Sequence, residues 1–203
     1  MALDLDTPLG AVLAGGSGSR LGGAKAMVEL GGRPLVQHAL AAFEAAGIEP
    51  LVVAKPATEL PPLRCAVLRE PEQPRHPLTG IVAALREAGE RPLVVLACDM
   101  PLAAPALLAE LAAAPEPLVV PAPAGRLQPL QARYSAALLP ALELALERQE
   151  PLRRSVESLS PRLLGDAELA PFGDPARLFL NVNDGLDLRR AAGLLEPDDR
   201  ESP

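Results

Sequence analysis

Short apolar runs alternate with longer helical patterns along this chain, and this alternation limits the possible folds more than any other feature. Apolar runs of roughly four to eight residues between turn signals are typical of buried strands, and Ala/Leu-rich stretches ended by glycine are typical of helices. The predicted strands are 9–14, 51–54, 65–68, 92–97, 118–121, 129–134 and 178–183. The predicted helices are 34–46, 79–88, 104–114, 135–149, 151–159 and 186–195. Strands separated by such helices predict βαβ units, and hence a Rossmann-like three-layer α/β/α fold with a mostly parallel central sheet.

The length of the chain favours a single core. At 203 residues it is long enough for one substantial α/β domain, which we predict over residues 1–195. Residues 196–203 read EPDDRESP and contain no apolar side chain, so we expect a flexible C-terminal tail there. The most continuous apolar run, 92–97, is predicted to lie at the centre of the sheet.

The charge balance limits the ligands. The formal net charge is -7, so the overall field repels nucleic acid and anionic membranes, and an anionic ligand needs a local cationic patch. No apolar run reaches the ~18 residues of a membrane span, and the N-terminus has no basic, signal-like pattern, so we expect a cytoplasmic protein. Cys65 and Cys98 form no CxxC motif or Cys/His cluster, which favours buried, reduced thiols.

A glycine-rich segment, LAGGSGSRLGGAK at 13–25, directly follows the first predicted strand. In an open parallel sheet, ligands bind beyond the carboxyl ends of the strands, and the loop after the first strand is the usual phosphate cradle. Glycines let backbone N–H groups approach phosphate oxygens, while Arg20 and Lys25 supply positive charge. Of the nineteen Lys and Arg residues only Lys25 and Lys55 are lysines, and a compact ammonium fits between phosphates better than a planar guanidinium. Neither the G-x-G-x-x-G nor the P-loop template fits; the alternative interpretation is a surface loop with solvated cations.

Asp99 follows the most hydrophobic predicted strand and therefore lies at the carboxyl edge of the sheet, near the glycine-rich segment. A carboxylate in that place suits Mg²⁺, which binds through one or two carboxylates, several waters and substrate phosphates. The alternative is an aspartate that only stabilises the turn before Pro101.

Three further segments hold candidate polar contacts. Glu70 follows the third predicted strand, where the alternative is a solvated loop acid. The predicted helix 79–88 has Thr79 as its cap, and the N–H groups of 77–80 would meet either a base edge or a phosphate, or serve only the cap. Asn181 and Asn183 lie two residues apart on the last predicted strand and hence on one face, where their amides would bind phosphate or a metal-bound water. The alternative is that they only satisfy backbone groups of a turn.

Five segments occur in an order that resembles the MobA-like molybdenum cofactor guanylyltransferases. They are LAGGSGSRLGGAK at 13–25, PLTGI at 77–81, ACDMP at 97–101, QPLQARY at 128–134 and NVNDGLDL at 181–188. Three departures stand out: Leu21 replaces the usual Met, Glu70 the usual aspartate, and Asp184–Gly185 the usual Thr-Pro. The resemblance extends over almost the whole chain.

The resemblance implies a nucleotide-diphospho-sugar transferase type of fold and an enzyme that transfers GMP from GTP to the phosphate of molybdopterin, releasing pyrophosphate. The implied cofactor is Mg²⁺, with Mn²⁺ as a substitute, bound by Asp99. The implied catalytic residues are Lys25, Arg20 and Asp99. The implied nucleotide-binding residues are Leu13, Ala14, Gly15, Gly16, Ser17, Gly18, Arg20, Lys25, Glu70, Pro77, Leu78, Thr79, Gly80 and Asp99. The implied acceptor-binding residues are Gln128, Arg133, Asn181 and Asn183. Partners would be GTP, molybdopterin and, transiently, other cofactor-biosynthesis proteins or target enzymes.

The absence of a Ser/His/Asp or Cys/His set agrees with this reaction. A phosphate acceptor is already an anion at neutral pH, so the reaction needs positioning and charge stabilisation rather than a protein nucleophile. Molybdopterin cytidylyltransferase, another small-molecule phosphate nucleotidyltransferase and a non-enzymatic nucleotide-binding regulator remain alternatives. Retention of Lys25 and Asp99 argues against the regulator.

Overall fold

The computed structural model describes residues 7–16 and 24–195; the predicted tail, 196–203, lies outside these ranges. The strands are β1 (Leu9–Leu13), β2 (Glu29–Leu30), β3 (Arg33–Pro34), β4 (Glu49–Ala54), β5 (Ala66–Arg69), β6 (Leu93–Ala97), β7 (Leu118–Pro121), β8 (Gln131–Tyr134) and β9 (Arg162–Leu164). The helices are α1 (Leu35–Ala45), α2 (Pro77–Ala88), α3 (Pro105–Ala113), α4 (Leu139–Glu147), α5 (Leu152–Ser158), α6 (Asp166–Leu169), α7 (Pro175–Leu178) and α8 (Gly185–Leu194). Short 3-10 turns are Lys25–Met27, Pro123–Gly125, Ala136–Leu138 and Ala170–Phe172.

Seven of the strands in the described ranges form one sheet, in the order β5-β4-β1-β6-β8-β7-β9. β1 runs parallel to β4 and β6, β4 to β5, and β7 to β9, whereas β8 is antiparallel to both of its neighbours. The predicted mostly parallel sheet is therefore confirmed. β6 is the middle strand and all five of its residues are buried, as its continuous apolar sequence predicts.

The helices cover the sheet on both faces. Val94 and Leu96 of β6 pack into a core with α1 and α3, whereas Leu93 and Val95 pack on the opposite face with α2 and α4. A Cβ at Gly10 would lie 2.7 Å from the ring of Phe43, so glycine lets α1 approach β1 closely. The predicted three-layer α/β/α architecture follows from these two cores.

The reversed strand β8 changes which residues reach the functional edge of the sheet. Because β8 runs against β6, its first residues, rather than its last, lie beside the carboxyl end of β6. The amide of Ala97 accordingly donates to the carbonyl of Leu130 at 2.8 Å. The 128–130 segment is thus brought to the same edge as Asp99.

The predicted last strand, 178–183, is wrong. Asp174 caps α7 through the amide of Ala176, and Pro175 occupies the first turn, so this stretch starts as a helix. The apolar side chains that suggested a strand are instead divided between two cores. Leu178 and Phe179 belong to the core that contains α1 and α3, whereas Leu180 and Val182 are buried in a small separate core with the β2–β3 hairpin and α8. Residues 179–184 are neither helix nor strand, and the amide of Val182 donates to the carbonyl of Asp99 at 2.8 Å.

In the part of the chain that the structure describes, none of the helices has the length and apolar character needed to cross a bilayer.

Candidate active site

A cavity of about 900 Å³ opens at the carboxyl edge of β1, β4, β5 and β6. Its volume lies in the range of small-molecule sites, and its position is the one at which parallel sheets bind ligands. Its lining comes from Leu13, Gly15, Gly16, Ala24, Lys25, Lys55, Ala57, Thr58, Glu59, Glu70, Glu72, Arg75, His76, Pro77, Gly80, Ala97, Cys98, Asp99 and Leu130.

Lys25 and Asp99 form one end of this cavity, which we call the β6 end. Lys25 lies in the first 3-10 turn, and its Nζ donates to Oδ2 of Asp99 at 2.6 Å and to Oδ1 of Asn183 at 2.7 Å. The structure therefore brings together three residues that the sequence places far apart. A lysine at this end supplies positive charge in a protein whose net charge is negative.

The second carboxylate oxygen of Asp99, Oδ1, is buried and has no hydrogen-bond partner among the described residues. A buried carboxylate oxygen without a partner is costly unless a ligand satisfies it. Within the same residues no group of three or more His, Cys, Asp or Glu side chains could hold a metal. The donor set therefore fits an ion such as Mg²⁺, which takes one protein carboxylate and completes its shell with phosphates and water.

Lys55 and Glu70 form the opposite end of the cavity, which we call the β5 end. Lys55 directly follows β4 and Glu70 directly follows β5, with Nζ of Lys55 3.6 Å from Oε1 of Glu70. Nζ also donates to the carbonyl of Pro71 at 2.8 Å. Both residues are buried, and burial raises the pKa of Glu70 above its ordinary value, while the Lys55 ammonium opposes this rise.

Two glycines leave the space that the Glu70 carboxylate occupies. A Cβ at Gly15 would overlap Oε1 of Glu70, and one at Gly80 would lie 3.2 Å from Oε2. A side chain at Gly15 would push the carboxylate aside, whereas a Cβ at Gly80 would make only tight contacts with Leu13 and Glu70. The glycines of the LAGG and PLTG segments thus leave room for the Glu70 carboxylate, in addition to letting the backbone approach a ligand.

The start of α2 differs from the sequence prediction. The helix begins at Pro77, and its cap is His76 rather than Thr79, because Nδ1 of His76 accepts from the amide of Leu78 at 3.1 Å. The Thr79 hydroxyl instead donates to the carbonyl of Pro74 at 3.0 Å. Pro77 and Gly80 line the cavity, whereas Leu78 and Thr79 are buried beneath it. Burial lowers the pKa of His76 below its ordinary value.

The glycine-rich segment is described only in part. Leu13, Gly15 and Gly16 line the cavity, and Ala14 is buried and donates its amide to the carbonyl of Val53. The predicted contacts of Ser17, Gly18 and Arg20 fall outside the described residues.

A second cavity, of about 490 Å³, contains two of the four predicted acceptor contacts, Gln128 and Asn181. Three arginines also line it: Arg126, Arg153 and Arg190. Arg153 is paired with Glu157 on α5.

The other two acceptor candidates lie elsewhere. Asn183 contacts Lys25 at the β6 end of the first cavity. Arg133 is buried on β8, donates to the carbonyl of Glu116 at 2.8 Å, and is absent from the described lining of both cavities. We therefore leave Arg133 out of the candidate site, because its charged head is turned into the protein.

Sequence reasoning missed Lys55 and the three arginines of the second cavity. A signal for Lys55 was present, because it is the second of only two lysines and follows a predicted strand. The arginines belong to three separate segments of an arginine-rich chain, so no spacing singles them out.

The profile of the MobA-like NTP transferase domain matches residues 10–163. The molybdenum cofactor guanylyltransferase of Acidiphilium cryptum is 35% identical over 189 residues, covering 89% of this chain and 91% of that protein. The protein of the same name from Cereibacter sphaeroides is 35% identical and covers 93% and 97%.

Solved structures give the same result for the fold. The molybdopterin-guanine dinucleotide biosynthesis protein A of Archaeoglobus fulgidus superposes with a TM-score of 0.77 at 25% identity, covering 92% of this chain and 97% of that one. The 2-C-methyl-D-erythritol 4-phosphate cytidylyltransferase of Thermus thermophilus superposes with a TM-score of 0.65 at 22% identity, covering 93% and 98%. The fold is therefore that of nucleotide-diphospho-sugar transferases, as the sequence predicts.

Proposed function

Because this chain belongs to the MobA-like NTP transferase family, we propose that it transfers GMP from GTP to the phosphate of molybdopterin and releases pyrophosphate. Relatives about one-third identical over most of its length carry the name molybdenum cofactor guanylyltransferase. The observation that carries the proposal is the 2.6 Å contact between Lys25 and Asp99 at the carboxyl edge of the sheet. We treat residues 1–195 as one nucleotidyltransferase domain acting in the cytoplasm.

The nucleotide would lie along the sheet edge, with its phosphates at the β6 end. Neighbouring strands are about 4.8 Å apart, so the three steps from β5 to β6 span about 14 Å. The buried carboxylate of Glu70 would repel phosphates, whereas the Lys25 ammonium attracts them. The base therefore belongs at the β5 end, with the backbone of Gly15, Gly16 and Gly80 beside it.

Catalysis would rest on positioning and charge. Mg²⁺ held by Asp99, or Mn²⁺ in its place, would neutralise phosphate charge. Lys25 would donate to the oxygens around the α-phosphorus and the leaving pyrophosphate, where negative charge accumulates. Arg20 would add a second cation from the glycine-rich segment. The acceptor phosphate attacks the α-phosphorus in line, and the bond to pyrophosphate breaks, so no protein group needs to remove a proton.

The acceptor would occupy the second cavity. Its arginines favour an anionic compound, and the amides of Gln128 and Asn181 match the polar edge of a pterin. The chain passes from Asn181, in this cavity, to Asn183, at Lys25, in two residues, or roughly 7 Å when extended. An acceptor in the second cavity is thus close enough to present its phosphate at the β6 end.

Pyrophosphate release with purified molybdopterin and either GTP or CTP tests the proposal. We expect Mg²⁺-dependent release with GTP, and a larger rise in melting temperature with Mg²⁺ and GTP than with Mg²⁺ and CTP. Faster release with CTP would indicate a cytidylyltransferase, and release only with sugar phosphates would indicate another small-molecule transferase. Nucleotide binding without release for any acceptor would indicate a regulator.

A further inference from the structure

We propose that Lys55 is a positioning residue that holds Glu70 as a charged hydrogen-bond acceptor for the nucleobase, and that this pair sets the preference for guanine. The inference rests on the proposed function, because it concerns the donor nucleotide of that reaction. It assigns a role to the second of the two lysines, at the end of the cavity opposite the catalytic one.

The carboxylate of Glu70 is confined on several sides. Nζ of Lys55 lies 3.6 Å from Oε1, and the two oxygens lie where a Cβ at Gly15 or at Gly80 would approach them. Lys55 is itself held, because Nζ donates to the carbonyl of Pro71 and its own carbonyl accepts from Arg69 at 2.8 Å. The carboxylate is buried beside the Lys55 ammonium, and both Glu70 and Lys55 line the cavity.

The position of this pair favours contact with the base. It lies at the ends of β4 and β5, and the phosphate-binding groups follow β1 and β6. A nucleotide whose phosphates reach Lys25 would bring its opposite end to Glu70. A fixed anion at that point selects a group that donates hydrogen bonds.

Guanine fits this requirement better than the other bases. Its N1–H and N2–H₂ groups are adjacent donors, and an ionised carboxylate accepts hydrogen bonds through both oxygens. Adenine and cytosine place a ring-nitrogen acceptor beside their amino group, which would face a carboxylate oxygen. Such a mismatch leaves a buried charge unpaired, and for this reason polar sites discriminate strongly.

The charge of Glu70 depends on its neighbours. Burial raises its pKa, the Lys55 ammonium lowers it, and Glu72 raises it slightly further. Arg75 and His76 also line the cavity, and the two glycines contribute no charge. Loss of Lys55 would favour the protonated carboxyl, which donates a hydrogen bond and no longer matches two adjacent donors.

A double-mutant cycle on the full-length chain tests the proposal. The variants are Lys55→Met, Glu70→Gln and the combination of both. Each is assayed with four nucleotides: GTP, ITP, ATP and 2′-deoxy-GTP. ITP differs from GTP in lacking the 2-amino group. We expect each single variant to raise KM for GTP about tenfold or more, to keep kcat within about twofold, and to reduce the preference for GTP over ITP. The double variant should be no worse than Glu70→Gln, because Lys55 acts through Glu70. Arg64→Met, an exposed cation outside both cavities, is the matched control.

The pH profile separates positioning from a structural role. Lys55→Met should move the acid limb of kcat/KM for GTP to higher pH, and Glu70→Gln should remove the part of that limb due to Glu70. Lys55→Arg keeps the charge and should retain most of the GTP preference. If Lys55→Met does not fold, Lys55→Arg, Glu70→Gln and the double variant, which has no unpaired carboxylate, still decide the question.

Four results would overturn the inference. They are unchanged GTP/ITP selectivity in Glu70→Gln, additive effects in the cycle, an unmoved acid limb, and a loss with GTP and ITP that is absent with 2′-deoxy-GTP, which would assign Glu70 to the ribose 2′-hydroxyl. Failure of the wild-type chain to release pyrophosphate from GTP would instead contradict the proposed function. The two failures are therefore distinguishable.

Discussion

The two ends of the large cavity each contain a lysine beside a carboxylate, yet the pairs differ in what they leave open. At the β6 end, Lys25 donates to one oxygen of Asp99 at 2.6 Å, and the other oxygen is buried without a partner among the described residues. At the β5 end, Lys55 stands 3.6 Å from Glu70, whose oxygens are confined by glycines. The same two functional groups thus leave a buried oxygen without a partner at one end and form a buried ion pair at the other.

Two lysine–carboxylate pairs at one sheet edge can therefore differ in whether an oxygen is left without a partner. A pair with an unsatisfied oxygen gains most when a ligand arrives, because the buried oxygen then acquires a partner. A confined pair keeps its geometry and selects among ligands. We therefore expect substitutions at the β6 end to act mainly on kcat, and those at the β5 end mainly on KM for the nucleotide.

The largest effect is expected for Asp99→Asn. The amide keeps the shape but loses the charge that would hold a divalent cation, so kcat should fall by about 10³-fold or more. The measurement is pyrophosphate release at saturating GTP, with Glu87→Gln, an exposed acid on α2, as the control. Near-normal turnover of Asp99→Asn would remove the proposed division between the two ends.

Lys25→Ala should follow, with a loss of about 10²-fold in kcat and a smaller change in KM for GTP, because one charged donor to the reacting phosphates disappears. Steady-state kinetics with both substrates measure the split. A change confined to KM would make Lys25 a binding residue like those at the β5 end.

Gly15→Ala should raise KM for GTP about tenfold, because its Cβ would displace the Glu70 carboxylate. Gly10→Ala, in β1 just before the glycine-rich segment, is the control. Its Cβ meets Phe43 in the core, so it should lower the free energy of unfolding by about 1–3 kcal/mol without changing selectivity. Equal losses of stability and unchanged KM in both variants would argue against a clamped carboxylate.

Arg126→Gln should raise KM for molybdopterin several-fold and leave KM for GTP unchanged, because Arg126 lines the second cavity and not the first. Arg64→Gln serves as the control. A parallel rise in KM for GTP would mean that the two cavities are not separate binding sites.

The smallest effect concerns pH and the β5 end. The pKa of His76 is lowered in the folded chain from 6.5, so below that pH the unfolded state binds more protons and stability falls until the folded pKa is passed. His76→Asn keeps a capping acceptor without titrating, and should remove this part of the loss of stability between about pH 8 and pH 5. Denaturant unfolding at both pH values checks this, and equal pH dependence in the two proteins would contradict it.

The sequence predicted the parts of the fold that continuous or strictly periodic apolar patterns determine. β6 was placed at the sheet centre because a strand buried on both faces is apolar throughout. The 178–183 segment, LFLNVN, has four apolar residues among six, yet none of them lies in a strand of the described structure, so burial alone did not reveal their partners. The two-residue strands β2 and β3 are too short to produce any alternation.

The same limit applies to the candidate site. Lys25 and Asp99 were brought together correctly because each follows a strand, and parallel strands end at one edge. Thr79 was predicted as the cap of α2 because hydroxyl side chains are favoured caps, whereas the structure gives this place to His76. The grouping of Arg126, Arg153 and Arg190 depends on how three distant segments pack, which no local pattern records.

The short stretch from Asn181 to Asn183 connects the two cavities. One end faces the arginine-lined cavity and the other touches Lys25, while the intervening amide of Val182 is anchored to the carbonyl of Asp99. An insertion of a single residue there would separate the asparagines without moving either cavity. Under the proposed function, this stretch of main chain would set how far the acceptor's phosphate lies from the rest of the compound in the second cavity.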